Sequence, residues 1–389
     1  MYKPSTLPND RIDAADVLRG FAIGGIILIH FLEHMNFYSF PELTKLDENV
    51  WNTIFFLFAG KMYAIFAMLF GLSFFIQHDN QAQKEKDFRP RFVWRMVLLM
   101  LFGLLDLTFY NGDILFIYAV CGLLIIPFIR CSNKVLNWII LILMIQPIEV
   151  IYIVLGLINP ETRPLNLGSG MHFMNMMPAQ ANGTIWDVAL VGIKDGLPCN
   201  FLWAIENGRF TQNIYLFIVG IMIGRSRLLY NEGDNYKKWQ KIMLITFIAF
   251  AVFAPLAKFV PGTIENRCVS NSLGVMLNMW RNVAMALFYV TGITWLLHRT
   301  KNGKRLMVLA PYGKMSLTHY IGQSVIGAFI FYGWGLALFK TSGHTESLCM
   351  AIVFVVLQII FSHWWMKNHK RGPLEGIWNK ATWIGTDKK

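Results

Sequence analysis

The chain has 389 residues, 55% of them hydrophobic and only 15% charged, with a net charge of +12. A soluble globular chain carries about 25% charge, and here apolar residues come in blocks of about 20, enough to cross a hydrocarbon core about 30 Å thick. That composition excludes a soluble multidomain protein, an intrinsically disordered chain, a nucleic-acid-binding domain and a disulfide scaffold, and it identifies a polytopic membrane protein.

The first 15 residues or so are polar. The first apolar block runs from about 17 to 37, contains Arg19 and shows no small-residue cleavage site. It is too long for a signal-peptide core and reads as a retained first span. Further apolar blocks follow near 52–76, 92–110, 113–130, 135–158, 211–230, 240–260, 272–297, 315–339 and 346–366. The expected fold is an all-α polytopic bundle of about ten transmembrane helices enclosing a polar cavity, in a single transmembrane domain. Lys and Arg concentrate in cytoplasmic loops. About 25 of the 35 fall in one alternating set of inter-span segments and about 7 in the other. Both termini are therefore expected in the cytoplasm, and the positive charge is a topology signal before it is a binding signal.

The longest loop, 159–210, is then extracytoplasmic. It carries Pro160, Pro164, Pro178 and Pro198, and loops this long usually function as lids or folded caps. The stretch Ile185–Leu197 reads as an amphipathic helix at the interface. Cys199 and Cys268 both fall on that side, where an oxidising compartment permits a bridge; two free thiols are the alternative.

Ionisable residues inside spans usually face a protein interior or a water-filled cavity. In the first span Asp16, Arg19, His30 and His34 lie within roughly 60° of one another at about 100° per residue. Arg19 is at the cytoplasmic end, His30 is about 16 Å further along, and Glu33 follows one turn on. This stripe points to a lined cavity; separate anchors at the two headgroup levels are the alternative. The eighth span brings Asn271, Asn278, Arg281 and Asn282 to one face, and Arg281 is too deep for a loop charge. It either binds a phosphate or carboxylate or pairs with Asp106 or Asp113. Ser316, His319 and Gln323 share a face in the ninth span, as a site or as a helix-packing network. His30 and His34 have a metal-ligand spacing with Glu33 near, but a third ligand of clear origin is missing, so no metal is expected. Phosphate-loop, dinucleotide and Gly-x-Ser-x-Gly patterns do not occur.

Several segments together carry a resemblance: Asp16-Val-Leu-Arg-Gly-Phe-Ala22, Lys61-Met-Tyr-Ala-Ile-Phe-Ala-Met-Leu-Phe-Gly71, Gly112-Asp-Ile-Leu-Phe-Ile-Tyr-Ala119, Gly313-Lys-Met-Ser-Leu-Thr-His-Tyr-Ile-Gly-Gln-Ser324 and Gly372-Pro-Leu-Glu375. In these the chain resembles the YeiB-like family of bacterial membrane proteins. That family is similar to transmembrane acyltransferases, among them heparan-α-glucosaminide N-acetyltransferase and the acyltransferase-3 enzymes. The resemblance implies an inner-membrane protein that moves an acyl group from cytoplasmic acetyl-CoA or another acyl-CoA to a hydroxyl or amine of an extracytoplasmic glycan or lipid. A homodimer is compatible with it. The acyltransferase-3 arrangement of an Arg followed by an intramembrane His matches Arg19 and His30.

Acyl transfer needs a base for the acceptor, donors for the developing oxyanion and cations for the donor's diphosphate. His30, His34 and Glu33 are the candidate catalytic residues. Arg19, Lys61, Arg281 and His319 are the candidates for holding the donor, and Arg281 and its neighbouring asparagines also suit the oxyanion. A transporter or flippase using the same buried charges is the competing class, and a non-catalytic membrane partner the third.

Overall fold

The computed structural model describes residues 7–34 and 42–385, and among these it is helical throughout, with no strand. Lys3, Lys388 and Lys389 of the charge tally, and the end of the first span expected near Phe37, lie outside the described residues. In chain order the α-helices are α1 (Asp13–His34), α2 (Lys45–Phe58), α3 (Met62–Ala82), α4 (Arg89–Leu107), α5 (Leu115–Ile125), α6 (Asn133–Met144), α7 (Pro147–Ile158), α8 (Ser169–Asn182), α9 (Ile185–Val191), α10 (Leu197–Glu206), α11 (Arg209–Arg225), α12 (Asn235–Phe259), α13 (Arg267–Arg299), α14 (Leu309–Lys314), α15 (Ser316–Phe331), α16 (His344–Asn368) and α17 (Pro373–Thr382).

Six helical segments among the described residues are long and apolar enough to cross a membrane, or seven if α6 and α7, bent by 41°, are one span. The sequence expectation of about ten also counted α4, α5, α11 and α15. These are shorter than 18 residues or, in α4, carry Arg89, Arg91, Arg95 and Asp106. One of the six, Ile185–Glu206, lies in the stretch expected to be a loop. It is α9 joined to α10 through a π turn at Gly192–Gly196.

The bundle is built around α1. Of its apolar stretch 72% is buried, against 6% for α12. Leu244, Phe247 and Ile248 of α12, with Ile151 of α7 and Val353 and Leu357 of α16, form an exposed apolar belt. Such a surface is costly in water and suits lipid. Gly20 and Gly313 allow the closest approach to α1. A Cβ on Gly20 would strike the Leu309 carbonyl, and one on Gly313 the Asp16 carbonyl. α1 and α14 thus pack backbone to backbone, which explains a glycine in each of these two sequence motifs.

Helix ends are closed by local chemistry. Thr44 and Asp47 form a capping box on α2, and Asp47 also accepts from the Thr345 N–H and hydroxyl at 2.8 and 2.7 Å. One carboxylate therefore ties the starts of α2 and α16 together. Asn266 accepts from the N–H groups of Cys268 and Val269 and starts α13. At the opposite end of the bundle, Glu375 of α17 accepts from the N–H groups of Leu317 and Thr318 (2.7 and 3.0 Å) and from the Thr318 hydroxyl (2.6 Å). The Gly-Pro-Leu-Glu motif is thus a cap supplied in trans to α15. Arg95 lies over the Trp378 ring at 4.1 Å, and Arg91 donates to the Thr382 carbonyl at 2.7 Å, so α17 is clamped against α4 as well.

The bridge considered between Cys199 and Cys268 is not formed, and all five cysteines are free thiols. The Cys199 thiol donates to the Ser169 carbonyl in the α8–α10 region, whereas Cys268 donates to the Tyr152 carbonyl of α7.

Glu375→Ala leaves the first N–H groups of α15 unpaired. It is expected to destabilise the protein by about 0.5–2 kcal/mol, and Glu375→Gln, which keeps an acceptor oxygen, by less. Thermal unfolding in detergent checks this; an unchanged melting temperature for the alanine variant would show that the cap contributes nothing.

Candidate functional site

The polar face of α1 opens into two adjoining cavities. The first, of about 280 Å³, is lined by Asp16 and Arg19, by Arg95 of α4, by Lys314, and by Glu375 and Trp378 of α17; Phe66, Phe70, Phe74 and Leu99 make its apolar wall. Asp16, 3% exposed, accepts from Arg11 Nε at 2.7 Å and Arg19 Nη1 at 3.0 Å. Arg19 also donates to the Ser73 hydroxyl at 2.7 Å. Arg95 and Lys314 form no ion pair among the described residues. Burial pushes the Glu375 carboxyl above its ordinary range, against the pull of the hydrogen bonds from Thr318 and Leu317.

The second cavity, of about 410 Å³, is lined by His30, Glu33, Tyr110, Asn111, Trp203 and Arg209, among others. It shares Ile26, Tyr63, Ile114 and Tyr320 with the first, so these four side chains form the neck between them. The Tyr320 hydroxyl accepts from the Ile114 N–H at 3.0 Å. Tyr118 donates to the Tyr63 carbonyl at 2.5 Å.

His30 stands just beyond that neck. Its Nδ1 is 2.8 Å from the side-chain amide of Gln323 on α15. The Tyr110 ring is 4.4 Å from its ring, centroid to centroid, and the Tyr110 hydroxyl donates to Glu33 Oε2 at 2.5 Å. Neighbouring groups thus fix the orientation of both the imidazole and the carboxylate.

A third cavity, of about 720 Å³, adjoins the second through Phe55, Ala59, Gly60, Trp203 and Arg209, and on its far wall are Asn271, Asn278, Arg281 and Asn282. Gly60 has φ +79°, and a Cβ there would overlap the Asn282 side chain. Only glycine fits this break between α2 and α3. The segment once read as a loop roofs the second cavity, since Phe173, Cys199, Asn200 and Trp203 all line it.

The sequence candidates separate into distinct places. Asp16, Arg19, His30 and Glu33 do share the α1 cavity face. His34 does not line any of the three cavities. It packs against Tyr110, Phe331 and Tyr332 at centroid distances of 4.6, 6.1 and 5.3 Å, and neither ring nitrogen has a hydrogen-bond partner among the described residues. Lys61, expected beside Arg19 at the cytoplasmic end, is instead at the Gly60 break, fully buried. It donates to the Phe55 carbonyl at 3.4 Å and lies within Coulombic reach of Arg281 and Arg209. His319 is in a packing network, 2.6 Å from the Ser362 hydroxyl, with Gln358 donating to its carbonyl. Arg281 forms no ion pair with Asp106 or Asp113; it faces the third cavity, and its hydrogen bonds among the described residues go to Asn282 Oδ1, at 3.4 and 3.3 Å. Among the described residues no group of three or more His, Cys, Asp or Glu is arranged to hold a metal.

Tyr110, Arg209 and Arg95 were not singled out from sequence. Tyr110 and Arg209 stand at helix ends, where no periodicity marks them, and Arg95 was counted as a cytoplasmic loop charge.

Two families match this chain in separate stretches. Residues 11–157 match the family described as "Heparan-alpha-glucosaminide N-acetyltransferase, catalytic", and residues 223–385 match "Protein of unknown function (DUF418)". The chain is 26% identical over 415 residues to "Uncharacterized protein YxaH" of Bacillus subtilis (strain 168), covering 97% of this chain and 96% of the relative. It is 26% identical over 387 residues to "Uncharacterized 39.9 kDa protein in amylase 3'region" of Bacillus acidopullulyticus, covering 96% and 94%. It is 23% identical over 383 residues to "Uncharacterized protein YeiB" of Escherichia coli (strain K12), covering 94% and 95%. The chain is similar to the YeiB family. In this YeiB-like chain His30 falls in the first matched stretch and Gln323 in the second, while Arg209 and the α8–α10 cap lie between the two.

Tyr110→Phe removes the hydroxyl that holds Glu33 and leaves a cavity-facing carboxylate short of a donor. A loss of about 1–3 kcal/mol is expected. Adding Glu33→Gln should recover part of it, because a neutral amide costs less to leave unpaired. A double-mutant cycle on thermal unfolding reads this directly; strictly additive effects would mean that the two residues are not coupled.

Proposed function

We propose that the protein is a transmembrane acyltransferase that passes an acyl group, acetyl in the simplest case, from a cytoplasmic acyl-CoA to a hydroxyl or amine of an extracytoplasmic glycan or lipid. The observation that carries this reading is the pair of cavities along α1 that meet at a neck, with His30 immediately beyond it. The match of residues 11–157 to the heparan N-acetyltransferase catalytic family supports it.

In this reading the chain crosses the inner membrane ten times as one domain, with α6 and α7 as one bent span and α8–α10 as an extracytoplasmic cap. Both termini are cytoplasmic, so the Arg19 end faces the cytoplasm. Reporter fusions truncated near Lys84 and near Gly168 are expected to report opposite sides. Two cytoplasmic signals would refute this topology.

The lining of the first cavity suits the pantetheine arm and diphosphate end of a CoA thioester. Arg95 and Lys314 form no ion pair among the described residues and suit the diphosphate, with Arg19 beside them, and the phenylalanine-rich wall suits a thin, largely apolar arm. When bound, the donor supplies an activated acyl carbon with a thiolate leaving group. In the second cavity His30 takes the proton from the acceptor hydroxyl or amine as that atom forms its bond to the acyl carbon and the thioester bond breaks. His30 then returns the proton to the departing thiolate. Gln323 Nε2 faces His30 Nδ1, so base action by His30 Nε2 requires the amide to turn over, its oxygen then accepting from Nδ1–H. A neutral imidazole can accept the proton of a hydroxyl or amine as a general base. Asn111, on the same cavity wall, supplies N–H donors for charge developing on the acyl oxygen. Glu33, held by Tyr110, orients the acceptor.

His30→Ala and His30→Gln separate base from packing residue. Both variants are expected to fold, bind CoA and lose transfer by about 10²–10⁴-fold. Near-normal turnover in the Gln variant would make His30 structural. The series of connected cavities also favours a second reading, a transporter or flippase. Purified protein that moves substrate across vesicles without transferring acetyl from acetyl-CoA would establish that reading instead.

A further inference from the structure

We propose that the third cavity, with the adjoining wall of the second, is an anion-binding subsite for the acceptor, and that the acceptor bears a phosphate ester. The inference rests on the acyltransferase reading for the word acceptor, but its evidence is separate.

Lys61, Arg209 and Arg281 come from three distant parts of the chain: the break between α2 and α3, the first residue of α11 and the middle of α13. Arg209 lines both the second and third cavities and Arg281 the third, while Lys61 is buried beside Gly60, which lines both, within Coulombic reach of the two arginines. None forms an ion pair among the described residues. Glu33 is the carboxylate within Coulombic reach of Arg209, and its Oε2 is engaged by Tyr110. Glu149 sits against Gly208, next to Arg209 in the chain, without an ion pair to it.

Gathering like charges away from bulk water is costly unless a counterion completes the site. The guanidinium of Arg209 is nevertheless fixed without an acid. It lies 4.5 Å from the Tyr63 ring centroid and 4.4 Å from that of Trp203, and its Nε is buried with no hydrogen-bond partner. A cation held rigidly by aromatic faces, with an unmet donor, is prepared for an anion that is not part of the protein.

Charge selects the class of anion. The lining of the third cavity carries two guanidiniums, Arg209 and Arg281, and no carboxylate, and paired guanidiniums suit the charge and forked acceptor geometry of a phosphate ester. The other side chains suit a sugar or glycerol body. The Asn278 amide donates to the Gly274 carbonyl at 2.8 Å and leaves its oxygen as an acceptor, and Ser270 and Asn271 line the same cavity. A phosphate seated here leaves the rest of the acceptor extending through the shared wall toward His30.

The test uses full-length protein and two sources of the same chemistry, glycerol 3-phosphate in solution and phosphatidylglycerol in nanodiscs. Glycerol and phosphatidylcholine are the uncharged and zwitterionic controls. Calorimetric binding and melting shifts are measured on wild type, Arg281→Gln and Arg281→Lys, with CoA binding followed in parallel. The expected result is binding of at least one phosphate probe over its control, weakened at least tenfold in Arg281→Gln and less in Arg281→Lys, with CoA affinity unchanged. A response to glycerol 3-phosphate alone assigns a soluble phosphate ester, and a response to phosphatidylglycerol alone a lipid headgroup. Equal response to phosphate probes and controls, or affinity unchanged in both variants, overturns the proposal. If Arg281→Gln does not fold, Arg281→Lys alone decides. Phosphate binding without any CoA binding would sink the acyltransferase reading and leave the anion site standing.

Discussion

A helix that is packed on every side yet carries charge must have its charges answered from within the protein. α1 is that helix here: it contacts α2, α3, α13, α14, α15 and α16. Asp16 is almost fully enclosed, and two arginines, Arg11 and Arg19, close on it. Leaving such a carboxylate unpaired would cost several kcal/mol, so the pair fixes the start of the helix. Further along, His30 and Glu33 find their partners on α15 and in the turn after α4. The cavities lie where α1 presents polar atoms that no neighbouring helix covers.

The site draws on both ends of the chain. The contact between His30 and Gln323 spans 293 residues, and the Glu375 cap that starts α15 comes from still further along. An imidazole on the first helix is therefore oriented by a helix whose own first turn depends on the C-terminal segment. The α8–α10 cap, between the two stretches that match known families, supplies most of the roof over the second cavity. The α1 face lies within the stretch that matches the N-acetyltransferase catalytic family, and the cap lies outside both matched stretches.

What could be read in advance follows the reach of helical geometry. Asp16, Arg19 and His30 lie on one helix, so their common face was legible from spacing alone. His34 shares that face, four residues on from His30 and about 40° further round, but at its level of the helix Tyr110, Phe331 and Tyr332 close over it, which spacing within α1 cannot reveal. Lys61 was misplaced because Gly60, at φ +79°, breaks the helix and resets both its phase and its depth. Arg281 was legible as an unexplained buried charge, but its neighbours Lys61 and Arg209 come from segments that no periodicity connects to it. Tyr110 sits in a turn between two helices, and its tie to Glu33 exists only in three dimensions. Apolar composition revealed the class of fold early, yet Cys199 and Cys268 show its limit, since an expected common side of the membrane does not bring two thiols together.

The neck has a consequence for the membrane itself. Two water-accessible spaces approach each other through the bundle, and only Ile26, Tyr63, Ile114 and Tyr320 stand between them. Two of these are aliphatic, and the Tyr320 hydroxyl is occupied by the Ile114 N–H. The constriction thus has few groups with which to replace the hydration shell of an ion, and desolvating one is prohibitive. With the bundle set in a bilayer, these four side chains are the barrier between the two spaces, and their close packing is what opposes ion passage. Replacing one with a small polar residue would turn the protein into a leak.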